Sequence, residues 1–192
     1  MQLIKSNAMT EKHNRARLLD CIQVFSDYFQ KTVMLRSVFC ENTQYRPVVQ
    51  DHLKEEFGHN TDLARDRHYR NPVWDPVLEA TSAWFAWNML AMDNDEKTVV
   101  VHLVLESSAN VFFVAADKVM QSYGETDFFH IHADLDEGHE KMGIDLIREQ
   151  TPARYLRLIE VQRQSWDILN TACNRMAELT RSTNLVNQCT IA

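Results

Sequence analysis

The chain has 192 residues, 45% of them hydrophobic, which is enough for one sizeable core, and nothing in it indicates a second domain. Its formal net charge of −7, without clustered Lys and Arg, argues against a general nucleic-acid-binding surface. The cysteines are widely spaced, with no Cys-x-x-Cys pair, which is typical of reduced thiols in a cytoplasmic protein. They are Cys21, Cys40, Cys173 and Cys189.

The first residues of the chain do not have the pattern of a signal peptide. Met1–Ala8 lacks the apolar stretch of a signal peptide, and Ser6-Asn7-Ala8 before Met9 is typical of a cloning remnant. We therefore treat residues 1–8 as such a remnant. A single helical domain is expected over residues 9–186, followed by a flexible polar tail over residues 187–192.

Helix formers are abundant in this chain, whereas Gly and Pro each occur only four times, which predicts an all-α protein. In chain order, the first four predicted helices cover residues 11–39, the stretch after Pro47 up to a break at Asn71-Pro72, residues 74–92 and residues 96–123. The fifth begins at an N-cap, Thr126 or Asp127, and ends before Thr151-Pro152. The sixth covers residues 152–183. Six or seven helices joined by short turns are typical of a helical bundle.

The stretch from Thr98 to Val114 is the most apolar part of the chain, and Val99-Val100-Val101 alone favours a strand. Its length and the spacing of His102 and Glu106 favour a buried helix instead. The polar residues within it would be costly in lipid, so we expect no membrane span. A buried Glu106 needs a cation, and Thr98 to Asp117 contains no Lys or Arg. The cation is therefore a metal ion or a residue from another helix.

The pattern His-x3-acid-x-Gly-His occurs twice, from His52 to His59 and again from His132 to His139. On an α-helix, positions i, i+4 and i+7 fall within about 60° of one another, so each copy presents two imidazoles and a carboxylate on one stripe. This is the spacing of metal ligands. Two copies indicate two helices that face each other across a shared site.

Together with Glu106, these stripes form a candidate set of metal ligands. The set is Glu56, His59, Glu106, His132, Asp136 and His139. Imidazole and carboxylate ligands without thiolate suit Fe(II) or Mn(II), or a pair of such ions, better than structural zinc. Helical bundles hold di-iron centres with inward-facing side chains of these types. His52 and His102 are more typical of core histidines or of residues that orient the ligands.

The order of these elements resembles that in the heme-oxygenase-like non-heme di-iron oxidases and oxygenases. This family belongs to the superfamily that also contains TenA-like and PqqC-like proteins. The resemblance covers about residues 11–183 and implies a heme-oxygenase-like bundle. It rests on Glu56-x-x-His59, the central Glu106, and His132-x3-Asp136-x2-His139 followed by Gly143.

The chain departs from the family pattern in the first element. Many members have Glu-x6-His there, which would place a Glu where this chain has His52. Either Glu56 takes the ligand role as part of a Glu-x-x-His variant, or His52 binds the metal directly.

The resemblance implies an O2-dependent, non-heme iron oxidoreductase that acts on a small organic substrate, amino-acid-like or fatty-acid-like. Two Fe(II) ions would be held by the six candidate ligands and bridged by Glu106, with Mn as an alternative metal and no heme. The expected partners are the substrate and O2, with no nucleic acid and no membrane. Many such bundles form homodimers, although no sequence feature fixes an interface.

Other functions stay open on the sequence alone. A TenA-like hydrolase would need a Cys nucleophile and no metal, although the cysteines form no recognisable constellation. A non-enzymatic helical binding protein could keep the same fold. A true heme oxygenase would need a proximal His in the first helix, where His13 is a poor candidate.

Overall fold

The structure is a computed structural model that describes residues 2–124, 128–139 and 141–186; within these ranges it describes all side chains except those of residues 131, 133–137 and 182–186. The described residues form helices and turns and contain no strand, which confirms the predicted all-α bundle. The predicted tail over residues 187–192 and the predicted N-caps Thr126 and Asp127 lie outside the described residues.

Seven helices span the described ranges. They are α1 (Lys12–Val38), α2 (Arg46–Glu56), α3 (His59–Asp66), α4 (Pro76–Ala91), α5 (Asn94–Gln121), α6 (Phe128–His139) and α7 (Pro152–Val186). Short 3-10 turns cover Asn7–Thr10 and Ile144–Ile147. Helix α1 contacts α2, α3, α4 and α7, and α5 contacts α6 and α7, so α1 and α5 are the central helices.

Two large hydrophobic clusters fill the bundle. The first lies between α1, α3, α5 and α6, and includes Leu18, Leu63, Met120 and Phe129. The second lies between α4, α5 and α7, and includes Phe85, Met89, Val104, Leu158 and Val161. Leu3 and Ile4, in the segment that we treated as a cloning remnant, are buried in the first cluster.

The predicted second helix is two helices that meet at a corner. α2 ends at Glu56, Phe57 is extended, and Gly58 has a φ of +100°, a conformation that a residue with a Cβ adopts only under strain. The prediction of one continuous helix up to Asn71-Pro72 is therefore wrong. The corner places Glu56 and His59 on its two sides, as the last residue of α2 and the first of α3.

The predicted fifth helix also ends earlier than expected, at His139. Gly143, at a φ of +74°, then starts the short 3-10 turn, and a Cβ on it would lie 3.4 Å from both Thr98 Cγ2 and Val48 Cγ1. The helix end thus falls on a predicted metal ligand.

Helix α5 contains a π-helical segment, Val99–Glu106, in the stretch for which a strand was the competing prediction. Val100, Val101 and Val104 in this segment are fully buried. By length and composition alone, α5 is apolar enough to cross a membrane, a weak criterion that buried core helices also meet. Its π segment is packed inside this bundle.

The Asp75 carboxylate connects the start of α4 to α7 through hydrogen bonds. Its Oδ1 accepts hydrogen bonds from the backbone N–H groups of Val77 and Leu78. Its Oδ2 accepts two hydrogen bonds from the guanidinium of Arg175, at 2.7 and 3.0 Å. The Arg175 hydrogen bond is the main reason that the pKa of this carboxyl lies below its usual value.

We expect Asp75→Ala to lower the free energy of unfolding by about 1–3 kcal/mol, since it removes a helix cap and a charged hydrogen bond. Asp75→Asn keeps the cap and should lose less. The pKa of the Asp75 carboxyl is lower in the folded state than in the unfolded state, where it is about 3.8. The stabilisation that its negative charge provides is therefore complete at a pH above 3.8, and it is lost as the pH falls through the folded-state pKa. Urea unfolding at neutral and acidic pH measures both effects. A gap between wild type and Asp75→Asn that persists in acid would contradict the assignment.

Candidate metal centre

Four helical segments meet at a polar cluster inside the bundle: the end of α2, the start of α3, the π segment of α5, and α6. They bring together six imidazole and carboxylate side chains in two groups of metal-ligand type. Within each group, one ligand atom from every residue lies within 4.8 Å of one from each of the others.

The first group consists of His52, Glu56, Glu106 and His139, all buried. His52 Nε2 lies 2.8 Å from Glu106 Oε1. His139 Nδ1 lies 3.0 Å from Glu56 Oε1 and 3.6 Å from Glu106 Oε2. Two nitrogen and two carboxylate ligands therefore converge on one small region.

The second group consists of Glu56, His59 and His132. His59 Nδ1 lies 3.2 Å from Glu56 Oε2, and the rings of His59 and His132 have centroids 4.7 Å apart. His132 Nδ1 donates to the backbone carbonyl of Phe128 at 2.8 Å, so the proton of the neutral ring lies on Nδ1 and Nε2 keeps a lone pair. Metal-binding histidines are commonly oriented in this way.

Glu56 is common to both groups, and its two oxygens face different histidines. Oε1 faces His139 and Oε2 faces His59. Glu106, which we expected to bridge two ions, belongs to the first group only. Among the described residues, Glu56 is thus the carboxylate placed to bridge two sites.

Several buried atoms in this cluster have no hydrogen-bond partner among the described residues: His52 Nδ1, Glu56 Oε1 and His139 Nδ1. Glu56 Oε1 and His139 Nδ1 are close, yet not in hydrogen-bond geometry. Unsatisfied polar atoms in a protein interior are costly and call for an explanation. The residues present therefore fit a cation beside Glu56 Oε1 and His139 Nδ1.

The protonation of the cluster follows from its close charges. Burial alone would lower the pKa of His139, but the nearby Glu106 and Glu56 carboxylates raise it to about 11. Burial alone would raise the pKa of Glu56, whereas the imidazoles of His139 and His59 hold it well below its usual value. Without a metal, His139 is thus an imidazolium that offsets two buried carboxylates. His132 differs, because burial lowers its pKa and keeps it neutral.

The π segment of α5 helps to position Glu106. At its end, the backbone N–H of Ser107 bonds to the carbonyl of His102, five residues earlier. This widened turn carries His102 and Glu106, both almost completely buried, into the polar cluster. π-helical turns inside α-helices occur frequently at functional sites.

An apolar cleft with a cavity volume of about 60 Å³ adjoins the cluster. Glu56, Glu106 and His132 form part of its lining. Its other walls are almost entirely apolar and include Phe25, Phe29, Leu105 and Phe113. Ser26 provides the one further polar side chain among the described lining residues. A small, largely apolar molecule could therefore lie next to a bound metal.

Five of the six predicted ligands lie in the two groups: Glu56, His59, Glu106, His132 and His139. The side chain of the sixth, Asp136, lies outside the described residues, although its backbone belongs to α6. His52, which the sequence favoured as a supporting residue, is a member of the first group. His102 is in neither group, because its ring nitrogens contact Arg36 and the backbone carbonyl of His139.

Sequence patterns did not reveal two further residues at this site. Glu55 Oε2 accepts a hydrogen bond from His139 Nε2 at 2.8 Å. Arg36, on α1, is almost completely buried and contributes positive charge near Glu106. The sequence indicated that a buried Glu106 needs a nearby cation, but it did not indicate which helix would provide that cation.

The cysteines offer little support for a metal-free hydrolase among the described residues. Burial raises the pKa of the Cys21 thiol to about 12, which disfavours a thiolate nucleophile. Cys40 is also buried, and its thiol donates weakly to the backbone carbonyl of Asn42. Cys189 lies outside the described residues.

Comparisons with known proteins show which protein family the chain belongs to. No protein-family model matches the chain, and no solved structure matches it significantly. The "Uncharacterized protein RP592" of Rickettsia prowazekii (strain Madrid E) is 34% identical over 164 residues, which cover 85% of this chain and 80% of that protein. The chain therefore belongs to the same protein family as RP592.

Proposed function

We propose that this chain is an O2-dependent, non-heme di-iron oxidase or oxygenase with a heme-oxygenase-like bundle. The observation that carries the proposal is the pair of ligand groups that share Glu56. Helical bundles are known to hold two metal ions between carboxylates and histidines from several helices. Ligand groups of imidazole and carboxylate without thiolate suit Fe(II) and Mn(II).

The described residues would divide the binding of two ions between them. His52, Glu106 and His139 would hold one ion, His59 and His132 the other, and Glu56 would contact both. Bound iron would supply the redox chemistry by which O2 oxidises an organic substrate. Because His139 carries an extra proton without a metal, it would have to lose that proton before its Nδ1 could bind an ion.

The protein itself would exclude water and orient the substrate. The apolar cleft beside Glu56, Glu106 and His132 would accept an uncharged part of the substrate, with Phe25 and Phe29 among the groups in contact with it. Ligand pockets of this kind are usually apolar, with a few polar groups that fix orientation. Ser26 is the candidate for such a group.

Anaerobic titration of the metal-free protein with Fe(II) tests this function. We expect about two ions to bind per chain, one for each ligand group. On exposure to O2, the loaded protein should consume O2 and change its visible absorption. Asp136→Ala belongs in the same series, because Asp136 is the remaining predicted ligand on α6.

The matched control is the same protein loaded with Zn(II), which should occupy the same ligands without consuming O2, since zinc has no redox chemistry. Equal O2 consumption by the zinc-loaded and iron-loaded proteins would contradict a redox role for the site. Failure of the wild-type chain to bind iron at micromolar protein concentration would contradict the metal site itself.

A further inference from the structure

Arg36 is a buried cation next to the metal-ligand cluster, and it belongs to neither ligand group. It is 2% exposed. Its Nη1 lies 2.7 Å from His102 Nε2, and its Nη2 donates to Thr98 Oγ1 at 3.2 Å. A guanidinium in a protein interior is costly unless its N–H groups have partners. Here the partner with the shorter contact is a neutral ring nitrogen.

The contact with Arg36 defines the tautomer of His102. A guanidinium has donors and no acceptor, so His102 Nε2 must accept the hydrogen bond. The ring proton is then on Nδ1, which donates to the backbone carbonyl of His139 at 2.8 Å. Both ring nitrogens of His102 are therefore engaged, and His102 is not available as a metal ligand.

His139 is the last residue of α6, where helix carbonyls lack partners within the helix. Its carbonyl accepts from His102 Nδ1 and, at 3.1 Å, from the backbone N–H of Met142. The side chain of the same residue lies between Glu56 and Glu106. A backbone held by two donors thus places the His139 ring at the point where both carboxylates meet.

His102 also contacts a second candidate ligand. Its ring packs against that of His52, with centroids 5.0 Å apart, and both side chains are fully buried. One side chain therefore touches two of the four residues in the first ligand group.

We propose that Arg36 and His102 are positioning residues of the metal site. Arg36 fixes the tautomer of His102, and His102 fixes the backbone of His139 and the packing of His52. The inference rests on the proposed metal-binding function and adds two residues that do not themselves bind the ion. Groups that orient metal ligands typically change metal affinity by about 10- to 100-fold when they are removed.

Three substitutions of His102 separate its two hydrogen bonds. His102→Leu removes both hydrogen bonds. His102→Asn places an amide nitrogen where Nδ1 was and can still donate to the His139 carbonyl. His102→Gln places an amide oxygen near the former Nε2, where it can accept from Arg36 but does not reach that carbonyl.

Titration with Co(II), whose visible spectrum reports the geometry of its ligands, is the measurement. We expect His102→Leu and His102→Gln to bind the ion of the first group about 10- to 100-fold more weakly than wild type, with an altered spectrum. His102→Asn keeps the donor to the His139 carbonyl but loses the Arg36 contact and the ring packing against His52, so it should lose less affinity than the other two variants. Thermal unfolding of each variant, with Asp75→Asn as a destabilised control remote from the cluster, separates lost stability from lost positioning.

Histidine NMR of the metal-free protein provides a second readout, in which His102 should show the tautomer protonated on Nδ1. The opposite tautomer, or Co(II) affinity and spectra unchanged in all three variants, would overturn the inference and leave the proposed function standing. A wild-type chain that binds neither Fe(II) nor Co(II) would overturn both.

Discussion

Glu56→Ala is expected to abolish the binding of both metal ions. Glu56 is the residue common to the two ligand groups, and each of its oxygens faces a different histidine. Its removal therefore takes a ligand from both sites at once. In an anaerobic Fe(II) titration, the stoichiometry should fall from about two ions per chain to none at micromolar protein concentration.

Two control variants test whether the loss of both ions is specific to Glu56. Asp51→Ala removes an exposed carboxylate from the same helix and should leave both ions bound. In the ion pairs of the described residues, Asp51 is paired with Lys54 and with no member of the ligand groups. His132→Leu removes a ligand of the second group alone and should leave about one ion, held by the first group. Retention of one tightly bound ion in Glu56→Ala would show that this carboxylate is not shared.

His139→Leu is expected to destabilise the metal-free protein by about 3–5 kcal/mol, because it removes a positive charge that offsets two buried carboxylates. The imidazolium of His139 lies against Glu56 and Glu106, whose side chains are 3% and 2% exposed. Urea unfolding in the presence of a chelator measures the loss. The matched control is His132→Leu on the same helix, which removes a buried but neutral histidine and should cost less.

The pH dependence of this loss has a definite sign. The folded-state pKa of His139 is raised, from an ordinary value of 6.5 to about 11. Its contribution to stability is therefore complete below 6.5 and is lost as the pH rises toward about 11. The stability gap between wild type and His139→Leu should narrow over that range. A gap independent of pH, or equal losses in the two histidine variants, would contradict the imidazolium assignment.

The sequence predicted the fold class and most of the cluster, because both depend on residues close together in the chain. Few glycines and prolines and a helical periodicity predicted an all-α bundle. The spacing within His132 to His139 placed two histidines on one stripe of a helix. The break at Gly58 was missed, since a Gly within a helical pattern is compatible with either a helix or a helix end until its φ is known.

The contacts that define the cluster join residues far apart in the chain. Glu106 reaches His52 across 54 positions, His102 reaches Arg36 across 66, and Glu55 reaches His139 across 84. No local pattern encodes such pairs, because they depend on how the packed side chains rotate α1, α2, α5 and α6 against one another. Periodicity likewise gave no indication of the π turn that carries Glu106 inward.

The sequence by itself thus predicted the helical architecture, imidazole and carboxylate as the candidate ligand types, and five of the six residues in the two ligand groups. Tertiary structure decided which carboxylate both groups share, that His52 lies in the first group, and that His102 contacts Arg36 and the backbone of His139. The physical reason is that helix formation and ligand spacing follow from neighbouring residues, whereas the role of a buried polar side chain is set by the partners that packing brings to it.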